Sequence, residues 1–527
     1  MQTIYYGGDI ITMEGESPEA VLVEDGIICK LGSKSQLRAL MDKGAVEVDL
    51  KGKTLLPSFV DPHSHITALS ATMGSVDLTG VSNFSELLSR IQSYAMSASL
   101  TPGQWITAFG YDHNTMEEKR HPDKFVLDQL NLDHPIVATH ASGHMGAVNS
   151  AALKELGICA SSENPAGGMI GRIESSQEPN GYLEEAAFTS ISNKIPAPGT
   201  QQLLNQLDLA QDIYLKNGIT TIQDGLTRQN EWSLLQKMAQ QNRLKADVVS
   251  YFDLKESHEL FDQNRSYWST YHNRLKLGGY KIFLDGSPQG RTAWMSRPYE
   301  NAPDGYCGYP IYDDQQVLDF VKIAVSKQVQ LLAHCNGDAA CAQLIKCCKQ
   351  ASNGAPLSIR PVMIHAQLLQ PEQLADMAKL NLIASFFIAH IYHWGDTHIQ
   401  NFGMERASQI SPVGAAIQEG VTYTFHQDTP VIAPNMMDTI WCAVNRKTRN
   451  GIELGAEQKI SVYDALKAIT IHGAYQYFEE DKKGSIREGK LADLVILDQN
   501  PLKVNPMDLR YIQVVCTIKN GDILFQQ

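Results

Sequence analysis

The chain has 527 residues, 43% of them hydrophobic, and a formal net charge of -14 at pH 7. This length exceeds one ordinary globular core and suits a large barrel with smaller attached domains. The acidic balance and the absence of a Lys/Arg cluster argue against a nucleic-acid partner, because phosphate binding needs a basic surface. A small neutral or cationic substrate fits this charge better.

Cysteine usage and the apolar segments indicate a cellular compartment. Nine irregularly spaced cysteines do not make a disulfide framework. The first 13 residues lack the pattern of a secretory signal, and no apolar run reaches the roughly 18 residues of a membrane span. We therefore expect a cytoplasmic protein without a membrane partner, and a homodimer is one alternative for its oligomeric state.

Short strands and hairpin turns are predicted at both ends of the chain. The predicted strands are residues 3–6, 9–12, 20–24 and 27–31, with a turn at Asp25-Gly26, and residues 491–497, 514–519 and 522–525, with a turn at Asn520-Gly521. The similar pattern predicts one small β-sandwich domain made from residues 1–56 and 476–527.

Between these ends, apolar strands alternate with helical stretches, as in a parallel sheet covered by helices. The strand candidates are residues 55–60, 220–223, 280–284, 329–333, 361–364, 382–387 and 421–425. We predict an α/β fold, a (β/α)₈ TIM-like barrel over residues 57–475. Residues 74–199 break the alternation and are predicted to be a large insertion after the first strand, over the barrel mouth, where loops carry function.

The first barrel strand runs into two histidines, in the sequence LLPSFVDPHSHI at residues 55–66. Alternate side chains of a strand leave the same face, so His63 and His65 are expected to project together. Imidazole nitrogen is a preferred zinc ligand, so the pair would form half of a metal site. The alternative is two polar residues in a turn.

Later strand candidates also end in ligand-type residues. Two of them run directly into His334 and His365, and the last is followed by His426 and Asp428. Each alone has an ordinary explanation as a core histidine or a helix cap. Together with the first pair they provide a full set of nitrogen and oxygen ligands for a divalent metal site with an open position.

Lys281 lies within a predicted barrel strand, in GYKIFLDG at residues 279–286. A buried lysine costs several kcal/mol unless it is paired or chemically changed. Reaction of its neutral amine with carbon dioxide would give a carbamate that can bridge two metals. The alternative is a lysine stem at the strand edge with its ammonium in water.

Several motifs together resemble those of a known family. They are FVDPHSH at residues 59–65, SGHMGAVNSAAL at 142–153, KIFLDGS at 281–287, HCNGDAA at 334–340, HAQ at 365–367 and GSIREGKLADLV at 484–495. Over nearly its whole length the chain resembles the metal-dependent amidohydrolase superfamily, in its amidohydrolase-3 (YtcJ-like) branch, which includes N-substituted formamide deformylases.

The resemblance implies a metal shell and a cofactor. It implies two divalent ions, zinc by expectation, bridged by carbamylated Lys281, with the ligands His63, His65, Lys281, His334, His365 and Asp428. The chain departs from the family pattern at Ser58, where glycine is usual, and at His426-Gln427-Asp428, which replaces the usual Ser-Asp pair.

The expected activity is hydrolysis of a non-peptide C–N bond, in an amide, formamide or cyclic amide, by metal-activated hydroxide. Asp428 is the predicted general base and then acid. One alternative is deamination of an amidine-type or aminopurine substrate, which needs the same water and the same proton transfer. A second alternative is a metal-binding regulatory protein without turnover.

Two stretches are candidates for substrate contacts. In VATHASGH at residues 137–144, a predicted strand runs into His140 and His144 around Gly143, and we predict that both histidines bind substrate. The other interpretation is that they serve the fold of the insertion. Tyr392, His393, Trp394 and His398 form an aromatic and histidine-rich segment that either contacts substrate or packs.

Overall fold

The structure is a computed structural model that describes residues 1–98, 100–113, 115–141, 143, 145–165, 168–191, 194–195 and 199–527. The chain forms two compact units, Met1–Thr67 with Ala210–Gln527, and Ala68–Leu209. All nine cysteines are free thiols. Over the described ranges, no helix combines the length and apolarity needed to cross a membrane.

The strands, in chain order, are β1 (Gln2–Tyr6), β2 (Asp9–Ile10), β3 (Ala20–Glu24), β4 (Ile27–Gly32), β5 (Val46–Asp49), β6 (Thr54–Pro57), β7 (Phe59–Val60), β8 (Ser75–Asp77), β9 (Ile106–Tyr111), β10 (Ile136–His140), β11 (Met145–Val148), β12 (Gly168–Arg172), β13 (Pro179–Glu185), β14 (Ile219–Thr227), β15 (Asp247–Asp253), β16 (Leu275–Phe283), β17 (Gln330–Cys335), β18 (Val362–His365), β19 (Ile383–Phe386), β20 (Tyr423–Phe425), β21 (Leu494–Leu497), β22 (Val514–Lys519) and β23 (Asp522–Gln526).

The α-helices are α1 (Lys34–Arg38), α2 (Ile66–Thr72), α3 (Phe84–Ser97), α4 (Lys124–Leu127), α5 (Ser150–Leu156), α6 (Ala186–Thr189), α7 (Thr200–Lys216), α8 (Gln229–Gln240), α9 (Leu254–Gln263), α10 (Asp314–Lys327), α11 (Asp338–Ala351), α12 (Pro371–Leu380), α13 (His390–Ser408), α14 (Val413–Gln418), α15 (Met436–Asn445), α16 (Val462–Ala468) and α17 (Ile471–Gln476).

Eight strands of the larger unit form one sheet in the order β7-β14-β15-β16-β17-β18-β19-β20. Every neighbouring pair is parallel, and helices connect successive strands from β14 to β20. Past the ends of β7 and β20, the His65 N–H donates to the Thr429 carbonyl at 2.8 Å. This arrangement confirms the parallel sheet of the predicted TIM-like barrel.

Two barrel strands differ from the prediction. Residues 55–60 form two strands rather than one, because the Ser58 N–H donates to Asp493 at 2.9 Å while the Phe59 N–H donates to Gly218 at 2.8 Å. Strand β15 is missing from the predicted set. Its short apolar run contains Ser250 and passes directly into α9, whose first N–H groups are capped by Asp253.

The two ends of the chain meet in neighbouring sheets. One sheet has the order β4-β3-β1-β5 and the other β2-β6-β21-β22-β23, so the second combines N-terminal and C-terminal strands. Side chains of both sheets form one apolar core, including Tyr5, Val21, Leu55, Leu494 and Ile518. The exact limits 1–56 with 476–527, and 57–475, remain predictions.

The smaller unit contains a six-stranded sheet in the order β12-β13-β11-β10-β9-β8. Its strands β8, β9 and β10 are parallel neighbours, and the remaining pairs are antiparallel. Buried residues such as Leu87, Ile106 and Tyr111 form one core of this unit. The limits 74–199 of the insertion, and its place over the barrel mouth, remain predictions.

A row of buried charged side chains links the amino ends of β15 and β16 with the sheet that contains β21 and β22. Lys519 lies 2.6 Å from both Asp247 and Asp493, and Lys483 lies 2.6 Å from Asp247 and 2.8 Å from Glu479. Lys276 of β16 completes the row by pairing with Glu479. Burial of each charge is costly, so the row is stable only while every member keeps its partner.

This row predicts an acid-sensitive stability. Burial raises the pKa of Glu479, but the ammonium groups of Lys483 and Lys276 outweigh it and hold the pKa at about 2, against an ordinary 4.5. Because the pKa of Glu479 is lower in the folded chain than in the unfolded chain, its ionised carboxylate stabilises the fold above pH 4.5 by on the order of 3 kcal/mol. This contribution is lost as the pH falls from about 4.5 towards 2.

Glu479→Gln should therefore lower the midpoint of thermal unfolding at pH 7, and the gap from the native chain should close between about pH 4.5 and 2. Differential scanning fluorimetry over that pH range measures it. Glu480→Gln is the control, since Glu480 pairs with Arg360 nearer the surface. A gap that stays constant with pH would contradict the assignment.

Candidate metal centre

The segments after β7 and β20 bring two histidines to one carboxylate. His63 Nε2 lies 3.3 Å and His65 Nε2 3.2 Å from Asp428 Oδ1. Both histidines lie in the loop beyond Val60, so the expectation that they share a face of a strand is wrong. They converge instead because the loop turns and Asp428 adopts a left-handed backbone, with φ 55°.

Three further histidines continue this cluster at the carboxyl ends of three strands of the same sheet. His365 Nε2 lies 3.0 Å from His334 Nδ1, and His365 Nδ1 lies 3.3 Å from His426 Nε2. His334 is the last residue but one of β17, His365 is the last residue of β18, and His426 directly follows β20. Nitrogen and oxygen ligands of one tetrahedral zinc lie about 3.3 Å apart, so these spacings suit a metal cluster.

Lys281 lies inside the barrel, fully buried on β16. Its Nζ atom lies 3.3 Å from His63 Nε2. Burial lowers its pKa to about 7, although the Asp428 carboxylate acts in the opposite direction. The neutral amine, which is the form that reacts with carbon dioxide, is therefore well populated at neutral pH.

Burial and mutual proximity also keep four imidazoles neutral, those of His63, His334, His365 and His426. Burial lowers the pKa of His63, and nearby Lys281 lowers it further; for His365, His334 adds to the effect of burial. For Asp428 burial raises the pKa, but surrounding imidazoles, His65 first, outweigh it and hold the pKa well below its ordinary value. Neutral nitrogens around an ionised carboxylate are the protonation states that a divalent metal requires.

Three of the predicted ligands form a compact set by themselves. His63, His365 and Asp428 each offer one ligand atom, and these atoms lie within 4.8 Å of one another. Oδ1 of Asp428 is buried, and among the described residues it receives no hydrogen bond of acceptable geometry. A buried carboxylate oxygen without a donor is the chemistry that a cation would satisfy.

Supporting side chains orient the histidines. His63 Nδ1 lies 2.6 Å from Gln223 Oε1, while the Gln223 amide nitrogen donates to the Pro62 carbonyl at 2.6 Å and to the Tyr477 hydroxyl at 2.9 Å. The Gln223 oxygen must then accept, so His63 carries its proton on Nδ1 and directs the Nε2 lone pair towards Asp428. Ser385 Oγ lies 2.9 Å from His426 Nδ1 in a similar position.

The Gln223 contact leads to a prediction about metal affinity. Gln223→Leu removes the acceptor that fixes the His63 tautomer, so zinc affinity should fall by about 10–100-fold. Competition with a chromophoric chelator measures the change. Gln330→Leu, at the amino end of β17, is the control for losing a buried glutamine of the same sheet. Unchanged affinity in Gln223→Leu would show that this contact does not orient a ligand.

One of the two predicted substrate residues is described by the structure. His140 ends β10 in the smaller unit, beside Asp112 and His113. His144 lies outside the described residues. The aromatic and histidine-rich segment from Tyr392 to His398 belongs to α13.

Aromatic side chains border the histidine cluster. The Phe387 ring lies 5.4 Å from the His426 ring and 4.5 Å from the His390 ring, and Trp394 continues this row, 4.5 Å from His390. Sequence reasoning missed Gln223, Ser385 and Phe387. Gln223 and Phe387 are the last residues of predicted strands, whereas Ser385 lies within one and has no such signal.

Comparison with known proteins gives concordant matches. The model of the Amidohydrolase family matches residues 46–525. The putative amidohydrolase YtcJ of Bacillus subtilis is 27% identical over 100% of both chains. The N-substituted formamide deformylase of Arthrobacter pascens is 26% identical over 97% of this chain and 95% of its own.

A solved structure has the same fold. An uncharacterised metal-dependent hydrolase from Pyrococcus horikoshii superposes with a TM-score of 0.76 at 22% identity, over 96% of this chain and 99% of that chain. The family match confirms the resemblance predicted from the motifs, and the solved structure shows that the fold is shared.

Proposed function

Because this chain belongs to the amidohydrolase family, we propose that it is a metal-dependent hydrolase that cleaves a non-peptide C–N bond in an amide, formamide or cyclic amide. The observation that carries the proposal is the buried Asp428 oxygen without a hydrogen-bond donor, faced by His63 and His65. The hydrolytic relatives support the reaction class. The formamide deformylase supports the substrate class.

The residues present fit a pair of divalent ions. The proposed ligands are His63, His65, Lys281 as its carbamate, His334, His365 and Asp428. The carbamate forms when the neutral Nζ amine attacks carbon dioxide, making an N–C bond and releasing one proton. Bound ions of this kind lower the pKa of a water molecule to about 7 and polarise the substrate carbonyl.

Asp428 would move the protons. Its carboxylate is ionised at neutral pH, so it can accept a proton from the attacking water. It would then deliver that proton to the leaving nitrogen as the C–N bond breaks. His63 and His65 lie 3.3 and 3.2 Å from Oδ1 and would bind the same metal centre as Asp428.

The aromatic row beside the cluster supports an apolar or aromatic group on the substrate. Phe387 and His390 are buried, whereas Trp394 is half-buried at the outer end of the row. An aromatic N-substituent can pack against such a row, with rings 4.5–7 Å apart.

A substrate panel with metal control tests the proposal. Formamides with aromatic or small alkyl N-substituents, N-acyl amino acids, cyclic imides and aminopurines are assayed with zinc-loaded, chelated and reloaded protein. We expect chelation to abolish release of the amine from an amide substrate and zinc to restore it, with preference for the aromatic substituent. Ammonia release from aminopurines alone would favour deamination, and bound metal without any turnover would favour a regulatory protein.

A further inference from the structure

A second group of ligand-type side chains lies in the smaller unit. Strands β9 and β10 are parallel neighbours, with His140 paired to Tyr111. Asp112 and His113 follow β9 directly, and His140 is the last residue of β10. Because parallel strands end at the same edge of a sheet, the register alone brings these three residues together.

The distances within this group suit one cation. His113 Nδ1 lies 3.3 Å from His140 Nε2, and Asp112 Oδ1 lies 3.9 Å from the first nitrogen and 3.5 Å from the second. These three atoms form a nearly equilateral triangle, whose centre is about 2 Å from each corner, the length of a zinc bond to nitrogen or oxygen. A shared proton can form a hydrogen bond between only two of these three atoms, whereas a cation at the centre can bind all three.

Aromatic packing holds two of these side chains in place. The His113 ring lies 3.8 Å from the His121 ring, which itself lies 4.6 Å from Tyr182. His140 is buried, with its ring 5.3 Å from Tyr111. Asp112 and His113 are half-buried, so solvent or a ligand can reach the group from their side.

We propose that Asp112, His113 and His140 bind one divalent transition-metal ion and leave a fourth position for water or for an anionic group of a ligand. Two imidazoles and one carboxylate favour zinc and its transition-metal neighbours over magnesium or calcium, which prefer all-oxygen sites. The site shares no residue with the barrel cluster and does not rest on the proposed function. It gives His140 a metal-binding role in place of direct substrate binding.

Zinc counting in the full-length chain tests the proposal. The double variant His63→Ala, His365→Ala disables the barrel cluster, and after saturation with zinc and desalting it should retain about one zinc per chain by mass spectrometry. Adding Asp112→Ala or His113→Ala should remove that ion, because alanine supplies no ligand atom. Adding His134→Ala, another histidine of the smaller unit, should not, since His134 Nδ1 bonds to the Gln104 carbonyl instead.

A cobalt spectrum and a fold check make the result decisive. Cobalt added to the double variant should give visible d–d bands that disappear with Asp112→Ala, while circular dichroism and the melting midpoint of the metal-free chain stay unchanged. A double variant that binds no metal, or an Asp112→Ala chain that keeps it, overturns the proposal. A failure of the barrel site would be seen separately, if the native chain loses all of its metal with Asp112→Ala and His113→Ala.

Discussion

Replacing Lys281 by methionine should lower turnover by roughly 10²-fold or more and reduce the bound metal, because methionine fills the space of the lysine stem but cannot form the proposed carbamate. Lys281 is fully buried on β16, with Nζ 3.3 Å from His63 Nε2. Its environment already favours the neutral amine. Metal content by mass spectrometry and initial rates on the preferred amide measure the two effects.

Chemical rescue distinguishes a role of Lys281 as a carbamate from a role in packing alone. In Lys281→Ala, a short carboxylate such as formate or propionate should restore part of the activity in proportion to its concentration, because it supplies two oxygens where the carbamate stood. Metal loading of the native chain should also depend on added bicarbonate. Full turnover and full metal content in both variants would show that Lys281 bridges nothing.

Replacing Asp428 by asparagine should lower turnover by roughly 10²–10⁴-fold, the usual contribution of general acid–base catalysis. Asparagine keeps the size and one oxygen ligand but cannot accept a proton. Asp428 is ionised at neutral pH, since neighbouring imidazoles hold its pKa well below the ordinary value in spite of burial, so its carboxylate is available to accept a proton. Most of the bound metal should remain, so kcat falls more than metal content.

Asp438→Asn, in α15, is the matched control, because Asp438 pairs with Arg510. It should leave both turnover and metal unchanged. Native turnover in Asp428→Asn would move the general base to His426, whose Nε2 lies 3.3 Å from His365 Nδ1.

Sequence reasoning located the barrel and most of the cluster because local patterns determine them. An apolar run that leads into His334 or His365 needs only its own residues to be recognised, and a lysine at position 281 stands out against an apolar strand. The loop that carries His63 and His65 was harder, since its turn depends on the His65 N–H bond to Thr429, far away in the chain.

The remaining features depend on how distant strands pair. Gln223 orients His63 only because β14 lies beside β7, and Asp112 meets His140 only because the end of β9 is in register with the end of β10. The local sequence pattern does not determine how either pair of strands, β7 with β14 or β9 with β10, is aligned. Such contacts are therefore found from structure even when every strand has been predicted.

The sheet shared by both chain ends also constrains biosynthesis. Strand β6 pairs with β21, from Thr54 with Leu497 to Pro57 with Leu494. A ribosome makes β21 roughly 440 residues after β6. At 5–20 residues per second, the edge of β6 that later pairs with β21 therefore stays unpaired for roughly 20–90 s. The nascent chain is most exposed to aggregation during this interval, and a chain cut before β21 would keep the open edge permanently.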